Sequence, residues 1–302
     1  MYLTGFADEA AQDLATQIKV TKELGWNAIE SRNINGKNIH DISEEDFEKT
    51  VALLDQEGVF INCFGSAVAN WAKNIKDDFS ITLEEVERAI PRMQRLGTKM
   101  IRIMSYARCE GEEQYKEERF KRLTEVVRLF KEGGIQPVHE NCMNYGGMSW
   151  KHTLELMENV PGLKLIYDTG NSPFMKDYSK GGDVWQDSWE FYSNIKEHIA
   201  YIHIKDSLNP VGGAPEKYTL PGEGQGYVKE ILSDLKARNY DGGISIEPHM
   251  ATVFHAKDKG DIDWDWNYKV YVQYGQKLME LLQAIDYKWN KFSLNKEVFN
   301  EV

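Results

Sequence analysis

The chain has 302 residues, of which 41% are hydrophobic and 28% charged, and its formal net charge is −12. This composition provides for a large folded core and excludes a disordered chain. The acidic balance disfavours general binding to nucleic acid or to anionic membranes, because both present phosphate groups. The sequence shows no apolar run of membrane-spanning length and no signal peptide, so with three cysteines and no CxxC pair we expect reduced thiols and a cytoplasmic location.

Eight short segments typical of β-strands alternate along the chain with segments of helical periodicity. The strand segments are residues 2–6, 27–31, 59–64, 100–104, 135–140, 163–168, 200–204 and 243–247. Such alternation requires right-handed crossovers and a parallel sheet, and eight units favour closure into a barrel. We therefore predict an α/β chain with a single (β/α)8 TIM barrel over residues 1–285 and a short C-terminal tail over residues 286–302. An open doubly wound sheet is the alternative, but no G-x-G-x-x-G follows the first strand.

Local signals indicate where the intervening helices begin and end. Phe47, Val51 and Leu54 fall on one helical face, as apolar residues three or four positions apart do. Ser43 and Thr82 each stand three positions before an acidic residue, which is the pattern of a helix N-cap. A left-handed C-cap favours glycine, and four glycines follow helical segments: Gly25, Gly58, Gly97 and Gly133.

The last four predicted strands each end in a side chain that can bind a metal ion: Glu140, Asp168, His203 and Glu247. In a parallel barrel the C-terminal ends of the strands meet at one mouth. Taken singly, such a carboxylate is usually a helix cap and such a histidine a core residue. Together, three carboxylates at one mouth repel each other, and a bound cation relieves that repulsion. We predict one divalent ion, with Mn²⁺ first and Mg²⁺, Co²⁺ or Zn²⁺ as further candidates.

A family resemblance follows from these motifs. Glu140 precedes D-T-G-N at residues 168–171, H-I-K-D at 203–206, P-G-E-G at 221–224 and I-E-P-H at 246–249. This order resembles the xylose-isomerase-like barrel superfamily, which includes sugar and sugar-phosphate isomerases and epimerases, inosose dehydratases and endonuclease IV. The resemblance extends from Gly5 to Glu247, and its motifs are specific for the superfamily rather than for one substrate.

The resemblance implies roles for individual residues. Glu140 and Glu247 would be both metal ligands and acid/base groups, with Asp168 and His203 as the remaining ligands. Asn171 would lie near the substrate or a second metal, at a position where relatives often have histidine. The asparagine found here argues against the multi-metal cluster of endonuclease IV.

Further residues are candidates for substrate binding: Asn171, Lys205, Glu30, Arg102, His249 and Glu223. Arg102 suits sugar hydroxyls, carboxylate or phosphate, with a structural salt bridge as the alternative. Lys205 either binds a substrate oxygen or pairs with a carboxylate. Glu223 lies in a loop with three alternate glycines, which either approaches a ligand closely or forms a plain turn. His139 adjoins Glu140 but is expected to point to the opposite side of its strand.

These residues predict a divalent-metal-dependent sugar isomerase or epimerase that transfers a proton next to a carbonyl through a metal-stabilised enediolate. Two carboxylates on opposite faces of the substrate are suited to remove and return that proton. The alternative is a metal-dependent lyase, inosose-dehydratase-like or 3-oxo-glycoside-cleaving, and a non-catalytic sugar-binding barrel comes third. We expect a small sugar or sugar-like substrate and no nucleic-acid or membrane partner, with a homo-oligomer as one option for the assembly.

Overall fold

The computed structural model describes residues 1–212, 215–252 and 261–294. The predicted TIM barrel is confirmed, and each strand begins and ends within one residue of its predicted bounds. The eight parallel strands are β1 (Tyr2–Gly5), β2 (Ala28–Ser31), β3 (Phe60–Phe64), β4 (Met100–Ile103), β5 (Gln136–Glu140), β6 (Lys164–Asp168), β7 (Ile199–Ile204) and β8 (Gly243–Ile246).

Eight main helices follow the strands in turn and surround the barrel. They are α1 (Leu14–Glu23), α2 (Glu44–Glu57), α3 (Phe79–Leu96), α4 (Lys116–Glu132), α5 (Trp150–Asn159), α6 (Ser188–Ile195), α7 (Val228–Ala237) and α8 (Trp264–Ala284). Their apolar faces are buried in the main core, as predicted for Phe47, Val51 and Leu54 of α2. Within the described ranges, no helix combines the length and apolar character that a membrane span requires.

The helix ends agree with the predicted caps in part. Ser43 caps α2, because its hydroxyl accepts the backbone N–H of Asp46 at 3.1 Å. The cap predicted at Thr82 is wrong: Asp78 caps α3. Thr82 lies one turn inside that helix, and its hydroxyl is 3.1 Å from the Tyr106 hydroxyl.

Three of the four glycines predicted after helices adopt the left-handed conformation. Gly58 and Gly97 are the C-caps of α2 and α3, with φ of 63° and 70°. Gly25, with φ of 76°, follows the C-cap of α1. Gly133 has φ of −76°, so the left-handed position after α4 is taken by Gly134, with φ of 72°.

Backbone hydrogen-bond ladders connect all neighbouring strands of the barrel except one pair, and we call the boundary between those two strands the seam. In the described part of the chain the hydrogen-bonded order is β1-β8-β7-β6-β5-β4-β3-β2, which gives seven parallel ladders and none between β1 and β2. Side chains connect these two strands instead. The Thr4 hydroxyl in β1 is 2.9 Å from the carbonyl oxygen of Ala28 in β2 and 2.8 Å from Oδ1 of Asn62 in β3.

Mainly apolar side chains fill the barrel interior toward the N-terminal ends of the strands. A cluster of inward-facing residues consists of Tyr2, Cys63, Met100, Val138, Ile166 and Tyr201. The tail predicted from residue 286 covers the N-terminal end of the barrel up to Leu294. The Phe292 ring packs 4.8 Å from the Tyr2 ring, and its N–H donates to Asn27 Oδ1 at 2.8 Å. Residues 295–302 of that tail lie outside the described residues.

Candidate active site

The four predicted metal-binding side chains meet at the C-terminal mouth of the barrel. Glu140, Asp168 and His203 lie in the strands β5, β6 and β7, and Glu247 directly follows β8. Each offers a ligand atom within 4.8 Å of the others, and all four residues are buried. They share one facing because each of the first three stands two positions after an inward-facing core residue, Val138, Ile166 or Tyr201.

The imidazole of His203 is oriented for binding a metal ion. Its Nε2 is 3.0 Å from Oε2 of Glu30, and both side chains are fully buried. Burial acts to lower the pKa of His203, but Glu30 and Glu140 outweigh it and raise the pKa to about 10, so the ring is protonated without a metal ion. A bound ion would displace the proton on Nδ1, while Glu30 would hold the proton on Nε2. Nδ1 has no hydrogen-bond partner among the described residues, and it faces Glu140 Oε1 at 3.6 Å and Asp168 Oδ2 at 3.9 Å. One nitrogen and three carboxylates that converge in this way fit a divalent ion.

Basic side chains neutralise part of the carboxylate charge. Lys205 Nζ lies 3.0 Å from Asp168 Oδ2 and 2.8 Å from Glu247 Oε2. Arg102 Nη1 is 3.0 Å from Glu140 Oε2. Arg32 Nη1 is 2.9 Å from Glu247 Oε1. These three cations hold the acidic groups in fixed positions around the cluster.

Burial and charge move the pKa values of this cluster in different directions. Burial raises the pKa of Asp168 to about 7, although Lys205 opposes the change. Burial also acts to raise the pKa of Glu140, but Arg102 and His203 outweigh it and the pKa falls to about 2. For Glu247, Lys205, His249 and Arg32 outweigh burial and hold the pKa well below its usual range. The two glutamates are therefore ionised at neutral pH.

A cavity of about 220 Å³, the mouth cavity, opens above the cluster. Among the predicted substrate-binding residues, Arg102, Asn171, Lys205 and His249 line it together with Glu140 and Glu247. Asn171 Nδ2 donates to Glu140 Oε1 at 3.2 Å. His249 Nδ1 is 2.8 Å from Glu9 Oε1, while its Nε2 lies 3.8 Å from Glu247 Oε1. Trp71 and Phe174 add apolar walls to the cavity.

Two predicted substrate-binding residues lie elsewhere. Glu30 does not line the mouth cavity but lies beneath it against His203, where it orients the imidazole. Glu223 is exposed and does not line the cavity either. Its loop instead encloses Asp206, whose carboxylate accepts the N–H groups of Gly222, Gly224 and Gly226 at 2.8 to 2.9 Å. The close backbone approach expected of this loop is thus made to a carboxylate of the protein itself.

The ion-pair cluster that Arg32 forms with Asp8 and Glu9 at the mouth was not predicted from the sequence. Arg32 Nε is 2.9 Å from Asp8 Oδ2, and its Nη2 is 3.3 Å from Glu9 Oε1. The sequence signal was an arginine after the second strand and two acids after the first. No spacing rule connects them, because their contact depends on how β1 and β2 meet. His139 points away from the mouth as expected, with Nε2 3.0 Å from the Ser105 hydroxyl.

Solved structures with the same fold come from several proteins. A D-tagatose 3-epimerase-like protein has a TM-score of 0.68 and 20% identity, covering 95% of this chain and 98% of its own. The probable 3-DHS dehydratase AsbF from Bacillus anthracis has a TM-score of 0.67 and 16% identity, covering 92% and 99%. A xylose isomerase-like TIM barrel protein from Mycobacterium smegmatis in complex with magnesium has a TM-score of 0.67 and 14% identity, covering 94% and 97%.

At these identities the structural likeness shows the fold alone. No curated protein matches the chain in sequence. The family model of the xylose isomerase-like TIM barrel matches residues 18–266, which is most of the chain. Together with the eight-stranded barrel and the cluster at its mouth, this match shows that the chain belongs to the xylose isomerase-like TIM barrel family.

Proposed function

We propose that this protein is a divalent-metal-dependent enzyme that isomerises or epimerises a small sugar by moving a proton next to a carbonyl group. The observation that supports this most directly is the pair Glu140 and Glu247. Both line the mouth cavity, both are ionised, and both belong to the candidate metal cluster. A bound divalent ion would supply Lewis-acid stabilisation of negative charge on substrate oxygens.

The contacts of the two glutamates suit proton transfer. Arg102 and Asn171 hold the carboxylate of Glu140, while Arg32 and Lys205 hold that of Glu247. A carboxylate fixed in this way accepts a proton only from an acidified C–H group, and it returns that proton readily. One glutamate would remove the proton. In an isomerisation the same glutamate would return that proton to the neighbouring carbon, and in an epimerisation the other glutamate, after taking up a proton from solvent, would deliver it to the opposite face of the same carbon.

The other polar groups at the mouth are placed to orient the substrate. Arg102 lines the mouth cavity, where its guanidinium group would meet a hydroxyl or carbonyl oxygen of the substrate. Trp71 and Phe174 offer apolar surface to the C–H face of a sugar ring. A substrate with polar edges and apolar faces therefore fits this lining.

A lyase that uses the same groups is the second candidate. The aromatic wall formed by Trp71 and Phe174 favours it, because an aglycone or a ring product would pack there. Proton abstraction by one glutamate would be followed by departure of the β-substituent with its bonding electron pair. Product analysis separates the two reactions, since isomerisation conserves the mass of the substrate and elimination releases water or an alcohol.

The test is a panel of keto- and aldo-sugars incubated with the Mn²⁺-loaded protein in D₂O and observed by NMR. We expect deuterium at the carbon next to the carbonyl in product or recovered substrate. Glu140→Gln and Glu247→Gln should each lower turnover by about 10²–10⁴-fold. Glu155→Gln, which changes a carboxylate paired with Lys116 away from the mouth, is the matched control and should keep full turnover.

Two results would contradict the proposal. One is product formation without incorporation of solvent deuterium, which would indicate a hydride shift. The other is near-normal turnover in Glu247→Gln with the metal still bound, which would assign the proton transfer to another residue.

A further inference from the structure

Lys205 is a buried lysine that is paired with the metal cluster, which consists of Glu140, Asp168, His203 and Glu247. Its side chain is only 3% exposed, yet it lines the mouth cavity. Its Nζ lies 3.0 Å from Asp168 Oδ2 and 2.8 Å from Glu247 Oε2. The ammonium group of Lys205 therefore holds two of the carboxylates that a divalent ion would bind.

Each of these two carboxylates has its other oxygen committed elsewhere. Asp168 Oδ1 accepts two backbone N–H groups at 2.8 and 2.9 Å, so Oδ2 is the oxygen that Asp168 offers to the cluster. Glu247 Oε1 is 2.9 Å from Arg32 Nη1, and Oε2 is the oxygen held by Lys205. An ion that binds Asp168 must therefore share an oxygen with Lys205, and at Glu247 it must share one with Lys205 or Arg32.

The ion and the Lys205 ammonium would repel each other across the shared oxygen. Carboxylate oxygens hold divalent ions at about 2.0–2.2 Å, so an ion on Asp168 Oδ2 would lie within about 5 Å of Nζ. Like charges this close interact strongly in a buried site, where little water screens them. The divalent ion is attracted more strongly to the three carboxylates than a single positive charge is, so the ammonium is the group that withdraws.

Arg32 is not the cation that gives way. Its guanidinium group lies 2.9 Å from Asp8 Oδ2 and 3.3 Å from Glu9 Oε1, and it stacks 4.6 Å from the centroid of the Phe6 ring. Both ion-pair partners of Lys205 in the described part of the chain belong to the metal cluster, which gives it no such anchor outside. A lysine ammonium also stands on a flexible four-carbon stem, so Lys205 is the more mobile of the two cations.

The base of the Lys205 side chain is fixed, so only its outer end is able to turn. The Thr169 hydroxyl donates to the carbonyl oxygen of Lys205 at 2.6 Å. Gly170 packs so closely on the stem that a Cβ there would lie 2.6 Å from Lys205 Cγ. Because Lys205 lines the mouth cavity, its outer end stays beside the space that a substrate would enter.

We propose that a divalent ion displaces the Lys205 ammonium from Asp168 and Glu247, and that the displaced ammonium binds a substrate oxygen in the mouth cavity. This inference rests on the metal-dependent function proposed above. Lys205 thus becomes a ligand for the substrate only after the ion has bound, which sets the order of binding. Arg32 continues to hold Glu247 throughout.

Isothermal titration calorimetry on chelator-treated, full-length protein tests the displacement, with Mn²⁺ alone as the probe. Lys205→Met keeps most of the length of the side chain and removes its charge. We expect this variant to bind Mn²⁺ about tenfold more tightly than the wild type, because no ammonium competes for the shared oxygens. A lysine that only supported its carboxylate partners would give the opposite result, a weaker affinity for Mn²⁺.

Oxalate tests the second role of Lys205, because its adjoining oxygens and negative charge resemble an enediolate. It is titrated into Mn²⁺-saturated protein, and the EPR signal of the bound ion reports the complex. Lys205→Met should bind oxalate about tenfold more weakly, since it lacks the charge-assisted hydrogen bond to the anion. The same substitution thus strengthens the binding of the ion and weakens the binding of the oxyanion.

Two further variants serve as controls. Lys196→Met removes a lysine that pairs with Asp234 outside the mouth, and it should change neither affinity. Arg102→Met removes a cation whose partner is Glu140 Oε2, whereas Oε1 is the oxygen that faces His203. This variant should not bind Mn²⁺ more tightly. An equal gain of affinity in Arg102→Met would attribute the effect to net charge and would overturn the displacement.

Crystal structures of the wild type with and without Mn²⁺ provide a test that needs no variant. With the ion bound, we expect Lys205 Nζ to move from 3.0 Å to more than about 4 Å from Asp168 Oδ2. An Nζ that keeps both carboxylate contacts, or a Lys205→Met protein with equal or weaker affinity for Mn²⁺, would overturn the inference and leave the metal-dependent function standing. Unchanged oxalate binding would overturn the role in substrate binding. No binding of Mn²⁺ to either protein would overturn the proposed function as well.

Discussion

Glu30 illustrates how one buried carboxylate prepares a metal ligand. It contacts Nε2 of His203 in a fully buried pair and leaves Nδ1 to face Glu140 and Asp168. We expect Glu30→Gln to weaken the binding of Mn²⁺ by about 10–100-fold, as the loss of such supporting partners does in other metal sites. Isothermal titration calorimetry with metal-free protein measures this change directly.

The control for this prediction is Asp234→Asn. Asp234 pairs with Lys196 and Tyr192 outside the mouth, so the affinity for Mn²⁺ should not change. If Glu30→Gln bound Mn²⁺ as tightly as the wild type, the orientation of His203 would not depend on Glu30.

His139 gives the protein a source of acid sensitivity. Burial lowers its pKa to about 4, below the unfolded value near 6.5. Between these pH values the unfolded chain binds a proton that the native state does not, so stability is lost as the pH falls. The loss approaches about 3 kcal/mol by pH 4. His139→Gln should flatten this part of the curve, measured by urea unfolding in chelator, and His198→Gln, at an exposed position, should not.

The candidate site was predictable from the sequence where it depends on strands alone. The positions of Glu140, Asp168 and His203 follow from two facts, that each ends a strand and that alternate residues share a face. The same reasoning did not find the contacts of Arg32 with Asp8 and Glu9, which depend on the angle between two strands and on a long side chain. It also assigned Glu30 to the substrate, because strand-end reasoning does not give the depth of a side chain within the barrel.

At the level of elements, the strands were predictable because each is a short buried run between glycines or polar turns. The start of α3 was not. Thr82 and Glu85 have the spacing of a capping pair, yet Asp78 provides a cap four residues earlier and the helix simply continues through Thr82. A cap pattern indicates where a helix is able to begin, and an earlier cap overrides it. The alternate glycines after β7 likewise predicted a loop whose backbone approaches another group closely, but they did not identify that group as the Asp206 carboxylate.

The loop around Asp206 makes a specific prediction. A Cβ at Gly224 would lie 2.3 Å from Oδ1 of Asp206 and 2.7 Å from the Ser207 carbonyl oxygen. Gly224→Ala should therefore lower the free energy of unfolding by about 1–3 kcal/mol, the usual cost of overpacking. In an Asp206→Ala background the same change should cost less, because the closer of the two clashes is gone. Equal costs in the two backgrounds, measured by urea unfolding, would contradict this account.

For the whole molecule, the metal cluster predicts a link between cation binding and stability. A divalent ion that binds only the folded chain should raise the free energy of unfolding by about 2.7 kcal/mol when the ion concentration is 100 times its dissociation constant. The midpoint temperature of thermal unfolding should therefore rise by several degrees when Mn²⁺ or Co²⁺ is added to chelator-treated protein. Asp168→Asn, which removes one ligand, should reduce the response. An unchanged transition temperature in the wild type at saturating metal would argue against the site.

The unladdered seam between β1 and β2 has a consequence for motion. β1 pairs only with β8 and β2 only with β3, so these two strands have a backbone ladder on one side and fewer bonds to break during local opening than the strands between two ladders. Arg32 crosses this same seam to Asp8 and Glu9 and also holds Glu247. Each opening of the seam would therefore loosen one metal ligand, so that amide hydrogen exchange along β1 and the rate of ion release should rise and fall together.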